Sequence, residues 1–322
     1  MFSIEYFIIA VFCKIDELLK EITVEHRVRA KGFEPALSDS EVLTMEIVAE
    51  YQGIETDVGI WKYFRKHWRD WFPALKSRTT FVRQAANLWQ YKAMLQQKLA
   101  EQLGALDDDV HLIDGVPIPL CYLCRASRCR CFEDIANYGY CASKNMHYYG
   151  FHGHVLVSGS GVITQFALTP ANGDERETLW DLVSNIQGVL IGDKGYLSQP
   201  LKQDLQTFAI DLQTALRSNM HDSRPRWWVR LIVKVRRLIE TVIGQLVGRF
   251  HLAKVWARDI WHLSSRLNRK ILAGVRQRFL HLRDIRVDLH LKQSGRWLIS
   301  SQSGFNDSKK TYVFLVQLLM CL

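Results

Sequence analysis

No run of about 20 apolar residues occurs anywhere in the 322-residue chain, so nothing in it reads as a membrane-spanning helix. The start, MFSIEYFIIAVFCKIDELLKEI, has no basic residue ahead of its apolar stretch and no small-residue cleavage site after it, which argues against a secretory signal. Instead Ile4, Phe7, Ile8, Val11, Phe12, Ile15, Leu18, Leu19 and Ile22 recur at helical spacing, and a packed amphipathic helix is expected. The protein is accordingly expected to be soluble and intracellular, in the cytoplasm. Cysteine is odd in number, seven in all, which argues against a disulfide framework. Five of the cysteines cluster: Cys121, Cys124, Cys129, Cys131 and Cys141. Thiolate metal sites use such pairs, but the gap between these pairs is short for a zinc ribbon, so free thiols are expected.

Acid is scarce in one segment. Residues 217–286 hold 17 Lys or Arg against 4 Asp or Glu, while the whole chain has a formal net charge of +9 and a pI of about 9.2. The remainder of the chain is therefore net acidic. Trp227, Trp228, Trp256 and Trp261 lie in the same basic segment, a mixture suited to phosphate contact and base stacking. A solvated basic helical face is the plainer alternative. With 48% hydrophobic and 23% charged residues the chain is an ordinary globular one, long enough for two domains.

Residues 1–106 read as a helical N-terminal domain. Ser38 and Glu41 are spaced as a capping box, and Thr79 or Thr80 is expected to cap one long helix, FVRQAANLWQYKAMLQQKLAEQLG, ended by Gly104. Between them GIWKYFRKHWRDWFPALKSRTT mixes Trp, Phe, Lys and Arg, as a DNA-holding surface or a packing platform would. No clean helix-turn-helix signature is present.

The texture then changes. DVHLIDG, MHYYGFHGHVLVS and VITQFALTP read as strands, the last two joined as a hairpin by SGSG. Asp174 caps a helix, GVLIGD is a strand, SQPLKQDLQTF a helix, AIDLQTALR a strand, and a mostly helical segment follows Pro225. Strands joined by such helices imply crossovers and a partly parallel sheet, an α/β fold with flanking helices. Ligand sites in such sheets lie beyond the carboxyl ends of the strands. Asp114 and Asp193 are expected at those ends, with Gly192 and Gly195 letting the chain turn beside Asp193.

A third acid, Glu240, stands among Leu238, Ile239, Val242 and Ile243, where an unpaired carboxylate is costly. Its partner is either Arg236, one helical turn earlier, or a divalent cation. Convergent carboxylates from different elements are what Mg²⁺ requires, and two such ions clamp the attacking and leaving oxygens of a phosphodiester displacement.

HLIDGVP with Asp114, YYGFHGHVLV, FALTPANGDERE, IGDKGYLSQ with Asp193, and RRLIETVIGQL with Glu240 together resemble bacterial insertion-sequence transposases of the DDE type. The resemblance covers roughly residues 1–280. It implies an RNase H-like core over residues 107–286, two Mg²⁺ ions (Mn²⁺ as a substitute), cleavage at transposon ends and strand transfer into target DNA. It also implies a homo-oligomer on paired ends, at work on the bacterial nucleoid. Asp114, Asp193 and Glu240 match the catalytic triad and would hold the metals. Arg236 matches the arginine of a Tyr-Arg-Glu-Lys signature, whose tyrosine and lysine positions are here Val233 and Val247. Arg236, Arg237, Lys194, Arg249, Lys254 and Arg258 are the candidates for DNA contact, with Tyr196 beside them. Arg125, Arg128 and Arg130 line either a groove or a solvated loop. His152 and His154 are expected on the core or sheet face, and Asp107, Asp108 and Asp109 in a solvated loop. An inactive DNA-binding relative from a degraded element, and a nuclease with the same core, stay open beside the transposase reading. The tail from Val287 to Leu322 lies outside the resemblance.

Overall fold

The computed structural model describes residues 3–26, 34–142, 145–216 and 220–275. The tail beyond residue 275, and with it the expectation for residues 287–322, lies outside the described residues. No helix among those described is long and apolar enough to cross a membrane.

Five helices come first: α1 (Ile4–Glu25), α2 (Asp39–Tyr51), α3 (Asp57–His67), α4 (Arg78–Asn87) and α5 (Trp89–Gln102). In α1, Ile8, Val11, Ile15, Leu18, Leu19 and Ile22 are buried, as their spacing predicts. The capping box is made in full: Ser38 Oγ accepts from the Glu41 backbone, and the Glu41 carboxylate accepts from the Ser38 backbone. The long helix expected after Thr79 is instead two, with Ser77 as the first cap and a break at Leu88. The break has a reason. The Ala85 carbonyl, which Trp89 N–H would occupy in a continuous helix, accepts from Lys92 Nζ and Ser265 Oγ, both at 2.9 Å.

The second half is a mixed sheet. Its elements are β1 (Val110–Tyr122), the short α6 (Leu123–Ala126), β2 (Asn137–Cys141), β3 (Met146–Ser158), β4 (Ile163–Pro170), α7 (Glu175–Leu182), β5 (Gly188–Gly192), α8 (Gln199–Thr207), β6 (Ile210–Thr214) and α9 (Arg226–Gly248). The strand order is β2-β3-β1-β5-β6, and β4 also pairs with β3. β2 meets β3 over Met146–Gly150 and β4 meets it over Phe151–Val157, so the two lie end to end along one edge. β5 runs parallel to β1, and β6 parallel to β5.

Each side of the sheet has its own core. Ile113, Leu156, Leu190 and Leu212 face α7 and α8 in one cluster. Leu112, Val116, Val155, Val189 and Ile191 face the other way, in a cluster shared with α9 and the N-terminal helices. Central parallel strands buried on both faces need continuous apolar runs, which is why Val189-Leu190-Ile191 has no alternation.

A buried ionic cluster ties α2, α3 and α5 to the helical residues 260–275. Arg269 reaches Glu50 at 2.6 Å and Asp57 at 2.7 Å, Lys92 reaches Glu46 at 2.7 Å, and Lys270 reaches Glu50 at 3.0 Å. Arg266 adds a second contact to Asp57 at 2.6 Å.

Candidate active site

Asp114 does not end its strand. β1 runs eight residues further, to Tyr122, because it continues to pair with β3. What ends beside Asp114 is the parallel neighbour: β1 pairs with β5 at Val110–Leu112, β5 stops at Gly192, and Asp193 follows. The two aspartates therefore stand at the same level of adjacent parallel strands, Asp114 within β1 and Asp193 just past the end of β5. Asp114 shares the strand face of Leu112 and Val116, toward α9.

From α9 a single guanidinium enters between them. Arg236 Nη1 lies 3.2 Å from Asp193 Oδ1, and Nη2 lies 3.9 Å from Asp114 Oδ2. Each aspartate also accepts from the backbone that follows it, Asp114 from Gly115 at 2.8 Å and Asp193 from Lys194 at 2.6 Å. Burial pushes the Asp114 carboxyl up to about 6, and the nearby charges of Asp193 and Glu240 add to it against the opposing pull of Gly115 N–H and Arg236.

Arg236 thus pairs from α9 with the sheet face it packs on. Glu240, expected in an apolar setting, is exposed on α9, whose buried line is Leu231, Ile232, Val235, Leu238, Ile239 and Leu246. It still stands close enough to raise Asp114. Among the described residues no three His, Cys, Asp or Glu side chains are gathered into a metal-holding group. The pair Asp114 and Asp193 nevertheless suits a hard divalent cation. Their oxygens converge on a positively charged group, and Mg²⁺ is commonly held by one or two carboxylates plus water and substrate phosphate.

One acid, quoted within FALTPANGDERE, is not among the sequence's candidate site residues. Glu175 opens α7 behind the cap of Asp174 and sits 3.6 Å from His152 Nε2. Burial raises its carboxyl, and Asp114 and Asp193 raise it further, so it belongs to the same electrostatic site. Its signal was the acidic run Asp174-Glu175-Arg176-Glu177, which reads equally well as an ordinary capped helix start.

The remaining candidates divide. Lys194, Arg237, Arg249, Lys254 and Arg258 are exposed. Arg249 lies over the rings of Tyr51 and Phe250 at 5.2 and 5.6 Å. Tyr196 is fully buried in the α7–α8 core, with its phenol pushed up chiefly by burial, so it is out of reach of DNA. Neither Gly192 nor Gly195 has a positive φ. Their role is close approach: a Cβ on Gly192 would crowd the Tyr196 ring, and one on Gly195 would lie 2.4 Å from Glu175 Oε2. His154 is buried and bonds Thr169 at 2.9 Å, as a sheet-face histidine should. Burial, and after it the neighbouring Cys129, pushes the Cys121 thiol up to about 11.

A cavity of about 930 Å³ lies apart from the aspartates, lined by Leu120, Cys121, Val247, Lys254, Trp256 and Arg258 among others.

Residues 103–255 match the family model of the transposase DDE domain, in agreement with the resemblance drawn from the motifs. No curated protein sequence matches the chain. Among solved structures, a piggyBac transposase synaptic complex with hairpin DNA aligns at 10% identity over 96% of this chain and 88% of that one, with a TM-score of 0.44.

Proposed function

Taking residues 103–255 as a transposase DDE domain, we propose that the protein is a DNA transposase that cuts at the ends of its element and joins them to target DNA. One observation carries the reading: Asp114 and Asp193, from adjacent parallel strands, share the single cationic group of Arg236. Two carboxylates drawn that close repel each other unless a positive charge lies between them. Arg236 supplies that charge here, and a divalent cation at the same place would supply it too. Asp114 and Asp193 are the proposed ligands, with Glu240 completing the set from α9.

Bound there, Mg²⁺ or Mn²⁺ supplies Lewis acidity and a more acidic attacking water or hydroxyl. The protein's own groups do the rest. Arg236, once released from the carboxylates, offers a planar donor to a phosphate oxygen. Lys194 and Arg237 are exposed beside it and suit the flanking phosphates. Asp114 lies within β1 and Asp193 directly follows β5, so both carboxylates are held by the sheet before DNA arrives. We further propose that residues 1–106 help recognise the element ends, that two copies act on paired ends, and that the work is done on the bacterial nucleoid.

The test is a cleavage assay on DNA carrying the element's own ends. Wild-type protein with Mg²⁺ should release a nicked or cut product and, with a pre-cut donor end, a joined product; Asp193→Asn with full activity would sink the assignment. A binding-only relative is the second reading, motivated by Val233, 48% exposed at the tyrosine position of the signature that the chain resembles. It predicts salt-dependent binding and no Mg²⁺-dependent product.

A further inference from the structure

Behind the sheet, on the face opposite Arg236, two polar side chains lie against the backbone of the two aspartates. His152 shares the strand face of Leu156, toward α7. Its ring lies so close under Gly115 that a Cβ there would come 2.1 Å from Nε2. Glu175 lies equally close to Gly195, where a Cβ would come 2.4 Å from Oε2. The two side chains face each other, with His152 Nε2 and Glu175 Oε1 3.6 Å apart.

The contacts form a continuous line. It runs from Asp114 through Gly115 to His152, across to Glu175, then through Gly195 and Lys194 to Asp193. Both ends are anchored. His152 Nδ1 lies 3.4 Å from the Tyr148 hydroxyl, and Arg176 Nε donates to the Gly195 carbonyl at 3.3 Å. A glycine follows each aspartate within two residues, and only its missing side chain admits the polar group.

We infer that His152 and Glu175 form a brace that sets the spacing of Asp114 and Asp193 from behind, Glu175 being a positioning residue and not a metal ligand. The inference rests on reading those aspartates as the metal-holding pair. A two-carboxylate site depends on that spacing, since Mg²⁺ tolerates little departure from octahedral geometry. The neighbouring Asp193 loop has one short 3₁₀ turn, Lys194–Tyr196, held on that side by the buried Tyr196 and by Glu175 and Arg176 of α7.

The experiment is Mn²⁺ binding to the full chain by calorimetry, with melting temperature and DNA affinity recorded on every variant. Glu175→Ala and, independently, Gly195→Ala should weaken Mn²⁺ binding by about tenfold, in the range of groups that orient a metal's ligands. DNA affinity should not change. Glu175→Gln keeps the length and the packing on Gly195, and should bind Mn²⁺ within about twofold of wild type. If Glu175→Ala binds as wild type, or if Glu175→Gln is as weak as Glu175→Ala, the brace is wrong; the second result would make Glu175 a ligand. Asp193→Asn separates the two levels. Its loss of Mn²⁺ binding upholds the underlying site, and its unchanged binding would overturn that site and the brace with it.

Discussion

Arg236 lies 3.2 Å from Asp193, a residue 43 positions away, and its helical neighbour Glu240 is left exposed. The guanidinium is therefore the positive charge between two carboxylates. Replacing it should expose the repulsion it relieves. Arg236→Gln protein should melt a few degrees lower without divalent ions, the pair being partly solvated and worth about 1 kcal/mol. Adding Mn²⁺ should recover more of the melting temperature in the variant than in wild type. A variant that melts as wild type in EDTA would show that the guanidinium is not needed there.

The carboxylates themselves should be far less tolerant. Asp114→Asn and Asp193→Asn remove proposed ligands, and Mg²⁺-dependent cleavage should fall by more than the roughly 100-fold seen when outer-shell groups are lost. Salt-dependent DNA binding should survive in both, because the exposed basic surface is untouched. The check is one gel of cleavage against a filter-binding titration.

Asp114 also predicts a pH effect on stability. Its carboxyl is raised to about 6, above the ordinary value of 3.8, so the native state holds its proton more tightly than the unfolded state. Stability should then fall as pH rises from about 4 to about 6 and level off above, by at most about 3 kcal/mol. Chelator-treated Asp114→Asn protein should lose that part of the slope. Equal slopes for the two proteins in urea melts would place the effect elsewhere.

How much of this was legible in the sequence depends on range. Short-range signals read correctly: the Ser38–Glu41 capping box, the Asp174 cap and the hairpin around SGSG all rest on residues within a few positions of one another. Asp114 is expected at a strand end, and the strand runs on past it. The sequence pattern loses its strand signal at Gly115 and Pro117, yet β3 continues to pair there. The sequence offers Arg236 its i, i+4 neighbour Glu240, whereas its contacts with Asp114 and Asp193 join residues far apart in the chain and show only in the fold. The break at Leu88 likewise depends on Ser265, 180 residues from the carbonyl it binds.

That long-range dependence has a measurable consequence. Arg269 is buried with Glu46, Glu50 and Asp57 around it. Arg269→Met would leave buried carboxylates short of a partner, a loss of about 3–5 kcal/mol. Asp57, held down to about 2 chiefly by Arg269 and Arg266 against its burial, should show the largest rise in that variant. For the same reason a chain cut after residue 258 should not fold, although the matched domain ends at residue 255. Urea melts of the two proteins decide both points.

The last expectation concerns DNA. Trp256 is 81% exposed at the mouth of the cavity, with Lys254 and Arg258 beside it, and the Arg266 guanidinium donates to its backbone carbonyl. A large indole left in water on a loop so tethered suits stacking on an unpaired base, while the two flanking cations suit phosphates. Trp256→Ala should weaken binding to DNA with unpaired ends by about 1–3 kcal/mol and leave the salt dependence of binding unchanged. Lys254→Ala combined with Arg258→Ala should do the reverse, weakening every DNA tested and lowering the salt slope by about 2. The two signatures separate stacking from charge. If Trp256→Ala weakens fully paired and unpaired DNA alike, the indole is packing support for the basic loop and does not meet a base.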